Sequence, residues 1–176
     1  MKTQLKLGLI AGSILTSFAS LVPLTTYAVT KNSTVTVTVN PTITLDSATN
    51  ASLTADSTKV VTTTFNAKVT TNKGYTISLH APTSTALTAT GTSDTIPASA
   101  TPTAGTNGWG IKKKTSATAD ATSYTAITTS AVPFYTATTG TAAAGATTTF
   151  TVGVAIAPTL TAGSYSTTLT VTAANS

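Results

Sequence analysis

The chain has 176 residues, 7% charged side chains, a net charge of +5 and no cysteine, and threonine dominates it. That length fits one domain with a sizeable core, disulfides are excluded, and so small a basic excess without arginine does not make a nucleic-acid-binding face. β-Branched threonine suits pleated surfaces and weakens helices, so an all-β fold is expected.

Residues 1–28 read as a signal peptide. Lys2 and Lys6 give a positive start, Leu7 to Leu24 is largely apolar, and Thr26-Tyr27-Ala28 places small residues at −3 and −1 of a cleavage site. The competing reading is a retained membrane anchor; Pro23 and the small-residue exit favour cleavage before Val29. The mature protein is then a single β-sandwich domain, residues 29–176, secreted and free of the membrane. It keeps seven lysines (nine minus Lys2 and Lys6) against four aspartates, a balance of +3.

Val29 to Leu45 alternates valine with threonine at Val35, Val37 and Val39, then continues through Ile43 and Leu45 beyond Asn40-Pro41. Side chains alternate sides along a strand, so this predicts two short strands, or one that changes sheet at the proline. Residues 46–57 form a loop. Val61, Phe65, Ala67 and Val69, followed by Tyr75, Ile77 and Leu79, predict a hairpin turning at Thr71-Asn-Lys-Gly74, with Asn and Gly available for positive φ. Residues 81–108 are polar and small, with Leu87 and Ile96 as anchors, and predict a surface loop or two weak edge strands.

Trp109 and Ile111 mark a strand running into Lys112-Lys113-Lys114, and residues 116–123 read as a loop. Tyr124, Ile127, Val132, Phe134 and Tyr135 give one or two irregular strands broken at Pro133. Phe150, Val152, Val154 and Ile156, then Tyr165, Leu169 and Val171, predict a final hairpin that closes the core. Seven to nine short antiparallel strands with turns between them predict an immunoglobulin-like β-sandwich, with a jelly roll as second choice.

Chemistry-bearing residues are few. The mature chain holds one histidine, His80, at a strand end and pointing away from the Tyr75/Ile77/Leu79 face. Asp46, Asp56, Asp94 and Asp120 lie in predicted loops far apart, with no calcium-loop or zinc-ligand spacing. No catalytic residue, metal or cofactor is assigned, and the expectation is not an enzyme. A lysine–asparagine crosslink is disfavoured for want of a mid-strand carboxyl. Lys112, Lys113 and Lys114, with Trp109 beside them, are the candidate site for an anionic wall polymer or carbohydrate; a solvated strand end blunting a sheet edge, beside a core tryptophan, is the simpler reading. Val35, Val37 and Val39 are the candidate strand-exchange residues, since a free alternating segment can complete its own sheet or add to a neighbour's edge.

Gly74-Tyr-Thr-Ile-Ser-Leu79, Gly108-Trp-Gly-Ile111 and Ala162-Gly-Ser-Tyr-Ser-Thr-Thr-Leu-Thr-Val-Thr172 resemble the strand motifs of bacterial exported immunoglobulin-like or pilin-like surface modules. The chain is also similar to WxL-type cell-wall-binding domains, although Tyr75-Thr-Ile77 and Leu169-Thr-Val171 stand where tryptophan motifs are expected, and Trp109-Gly-Ile111 comes nearest to one. The resemblance implies a non-enzymatic protein of the cell surface: an attachment, coat or filament subunit. The alternative is a carbohydrate- or wall-polymer-binding module. Its partners would be other copies of itself, through strand addition, or cell-wall polymers, not nucleic acid.

Overall fold

Threonine at every second position leaves the intervening side chains to make one apolar face, and the strands follow that rhythm. The computed structural model describes residues 35–46 and 48–176, so the signal-peptide reading of residues 1–28 lies outside the described residues. The chain divides into two units, Met1–Thr38 and Val39–Ser176. In the first, the described residues 35–38 form no strand. The second is all-β, with ten strands among its described residues: β1 (Ile43–Asp46), β2 (Val61–Thr71), β3 (Tyr75–His80), β4 (Leu87–Thr88), β5 (Thr95–Ile96), β6 (Gly108–Lys114), β7 (Asp120–Thr125), β8 (Val132–Ala137), β9 (Ala146–Ala155) and β10 (Thr170–Asn175).

These strands make a β-sandwich. A five-stranded sheet runs β1-β2-β9-β6-β7, a three-stranded sheet runs β10-β3-β8, and β4-β5 form a small ribbon in which Leu87 sits opposite Ile96. All strand pairs are antiparallel. The alternating residues Phe65, Ala67 and Val69 of β2 and Phe150, Val152 and Val154 of β9 face Tyr75, Ile77 and Leu79 of β3 and Phe134 of β8, all buried. Phe150 stacks on Phe65 at 5.2 Å within its own sheet and meets Phe134 of the other sheet edge-on at 6.5 Å. Apolar contact between the two inner faces is the main stabilising term of such a sandwich.

Both expected hairpins are corrected. β2 and β3 lie in different sheets, so Thr71–Gly74 is a corner that carries the chain across the core. Gly74 does not adopt positive φ there; it is needed because a Cβ would sit 2.9 Å from the carbonyl oxygens of Ala137 and Thr138. β9 and β10 are likewise split, β9 pairing with β2 and β6 while β10 pairs with β3. Alternation selected the same buried residues in either arrangement, because both strands face one core.

The first predicted strand is also corrected. Among the described residues of that stretch, only Ile43–Asp46 pairs, with Thr71 to Lys68 of β2, whereas Val35, Val37 and Val39 belong to no strand and are exposed at 83, 77 and 73%. Part of the predicted 116–123 loop is instead strand: Asp120 opens β7, which pairs with β6. Pro133, which cannot donate to a ladder, sits on the edge strand β8 near a register shift in its pairing with β3.

Candidate functional site

The second unit carries a cleft of about 1010 Å³ that no single stretch of sequence announced. Its floor is the inner face of the five-stranded sheet at Phe65, Trp109, Val152 and Val154. Segments 48–55 and 160–169 border it, with Leu53, Leu160 and Leu169 contributing apolar side chains. Val171 of β10 lines it as well. The cleft forms because β10 is an edge strand that pairs with β3 alone, and because the chain before β2 and before β10 runs as loops.

Few backbone bonds hold those borders. Thr49 N–H donates to Asn66 O at 3.2 Å, and Ser166 and Thr88 exchange a pair of backbone bonds at 2.9 and 3.0 Å. Among the described residues, no hydrogen bond within the protein involves Asn50 to Ala55. Unpaired backbone along an apolar slot is a place where an incoming chain can make both main-chain and side-chain contacts. The sequence signal was present but local: isolated leucines and Tyr165 in otherwise polar loops.

The predicted polymer site is not brought together. Trp109 is buried, 2% exposed, and its Nε1–H donates to Thr85 O at 2.9 Å, so it presents no stacking face to solvent. Alternation along β6 places Lys113 on the same sheet face as Trp109, with its Nζ 6.0 Å from the Phe134 ring, and turns Lys112 and Lys114 to the opposite face. There Lys112 lies 5.2 Å from the Tyr124 ring, and Lys114 is paired with Asp120 at 2.8 Å with only 3% of its side chain exposed. β6 is an inner strand between β9 and β7, so the lysines do not blunt a sheet edge.

Tyr124 explains two glycines on that outer face. Gly110 and Gly153 are cross-strand partners, and the tyrosine ring lies over Gly153 where a Cβ would collide with it. A Cβ on Gly110 would run into the carbonyl oxygen of Ser99.

The four aspartates serve the scaffold. Burial raises the Asp120 carboxyl, but hydrogen bonds from Lys114 and Thr151 and the charges of Lys114 and Lys112 outweigh it, so its pKa is lowered. Asp56 is lowered by the backbone and side chain of Thr58, in a local turn. Asp94 is lowered by the side chain and backbone of Thr161, which ties the ribbon region to the 160–169 segment. Asp46 pairs with Lys68 at 3.8 Å on the surface. His80 has a buried Nδ1 without a hydrogen-bond partner and no carboxylate bonded to it. Val35, Val37 and Val39 are the large apolar side chains exposed among the described residues. Compared with known family models, curated proteins and solved structures, the chain matches none of them.

Proposed function

We propose that this chain is a secreted, non-enzymatic structural protein of the cell surface, an attachment, coat or filament subunit built on an immunoglobulin-like sandwich. The observation that carries this reading is the division of its chemistry. All four carboxylates are taken up by partners that hold loops and strands in place, while the cleft has an apolar floor at Phe65, Trp109, Val152 and Val154. Such a surface suits association with another protein chain better than the turnover of a polar substrate. The two antiparallel sheets packed face to face support the immunoglobulin-like assignment, and the apolar run ahead of Thr26-Tyr27-Ala28 supports export.

Cell fractionation with sizing tests the reading. The protein is expected at the cell surface in species larger than one chain, beginning at Val29 by mass spectrometry. A strict monomer that co-sediments with purified cell wall would overturn it in favour of the polymer-binding module. An intact Met1 on surface-extracted protein would replace the soluble subunit with an anchored one.

A further inference from the structure

The floor of the cleft is shielded. Phe65, Trp109, Val152 and Val154 are only 4, 2, 6 and 5% exposed, so a guest reaches them only when a border moves. The two borders are held unequally. Segment 160–169 is fixed: Thr161 N–H donates to Asp94 Oδ2 at 3.0 Å, Ser166 exchanges backbone bonds with Thr88, and Thr167 Oγ1 donates to Ser84 O at 2.7 Å. Residues 50–55 have no such tie among the described residues. Thr49 is held twice by Asn66, at 3.2 and 2.9 Å, and Asp56 closes a local turn with Thr58, so the segment between hangs from its two ends. Leu53 is its one large apolar side chain, and it packs against the core. A segment with few buried contacts and unbonded amides opens at low cost.

We propose that residues 50–55 are a flap that opens to admit an uncharged amphiphile, an aliphatic chain ending in a hydroxyl or carbonyl, onto this floor. The absence of charge selects that class. Among the described residues lining the cleft, all of them in the second unit, there is no lysine, aspartate or histidine. An ionised head group buried there would lose its water without gaining a partner of opposite charge. A hydroxyl or carbonyl finds partners, because the N–H and C=O groups of Asn50 to Ala55 are unbonded within the protein. The space is sufficient: about 1010 Å³ stands at the upper end of the roughly 300–1,000 Å³ in which small-molecule sites fall. This binding goes beyond the surface-subunit reading, and neither depends on the other.

Trp109, the chain's single tryptophan, lies in the floor and reports on a guest directly. The neutral fluorophore phenylnaphthylamine should bind saturably and take up excitation energy from Trp109. Decanol should displace it at a concentration about tenfold or more below that needed with decanoate, which carries an aliphatic chain of the same length but an ionised end. Saturating decanol should slow amide exchange of residues 50–55 about tenfold while leaving β10 unchanged. Leu53→Ala, at a half-buried position, should stay folded and take up the fluorophore about threefold faster or more, because the flap loses its one apolar anchor. Four results would each overturn the proposal: no saturable fluorophore signal, equal displacement by decanoate, exchange protection that misses residues 50–55, or an unchanged uptake rate in Leu53→Ala. Fluorophore binding that falls as protein concentration rises would give the cleft to a second copy and overturn it equally. None of these bears on whether the protein resides at the surface, which fractionation decides separately.

Discussion

Truncating Phe150 tests the arrangement of the core most directly. Its side chain is completely buried, stacked on Phe65 with rings inclined at 25° and edge-on to Phe134 at 77°, so it links β9 to β2 within one sheet and to β8 of the other. A buried Phe→Ala change costs about 3–5 kcal/mol, and each aromatic pair adds ~0.5–1.5 kcal/mol beyond the area buried. With two such pairs lost, Phe150→Ala belongs at the upper end, about 5 kcal/mol, a large share of the ~5–15 kcal/mol that holds a domain together. Thr149 is the control, one residue away on the opposite face. Its hydroxyl donates to Asn66 Oδ1 at 2.7 Å, and Thr149→Ala should cost about 0.5–1.5 kcal/mol. Urea unfolding followed by the emission of buried Trp109 measures both. Equal losses at the two positions would refute the one-sided burial of β9. A Phe65→Ala, Phe150→Ala double-mutant cycle with no coupling would refute the stacked pair.

The remaining predictions concern the outer face and the tryptophan. Lys114→Met should destabilise by about 1–3 kcal/mol, less than a fully buried pair because a quarter of the Asp120 side chain, 26%, is exposed. Since the folded pKa of Asp120 is lowered, its contribution is fully present above the ordinary value of 3.8 and is lost as pH falls through the folded value. The wild-type melting temperature should therefore drop more steeply below about pH 4 than that of Lys114→Met, and parallel curves would count against the pair. Gly110→Ala should cost more than about 2 kcal/mol, because the clash is with the Ser99 backbone, whose N–H donates to Trp109 O at 2.6 Å; a melting temperature unchanged within error would contradict that packing. Trp109→Phe removes the bond to Thr85 O and should cost about 1–3 kcal/mol in thermal unfolding, and a melting temperature equal to that of the wild type would contradict that buried bond.

Alternation with threonine made the strand positions and the buried faces legible: Phe65, Tyr75, Ile77, Leu79, Phe150, Val152 and Val154 are core residues, as their spacing predicts. That works because the pleat turns successive side chains to opposite sides wherever a strand finds its partners. The same rule cannot choose those partners. Tyr75 follows Val69 after a short polar turn whether the chain folds back as a hairpin or crosses to a second sheet, and only the close approach of Gly74 to Ala137 and Thr138 separates the two. Nor could it foresee that the lysine run would be divided between two faces of an inner strand, or that Tyr124 would cover Gly153. The cleft depended still more on tertiary structure, since Phe65, Trp109, Val152 and Val171 come from four strands and its borders from two loops. Sequence pattern reports which side of a strand is apolar, but a recess is a gap between elements, and gaps are set by which strands the sheets leave unpaired.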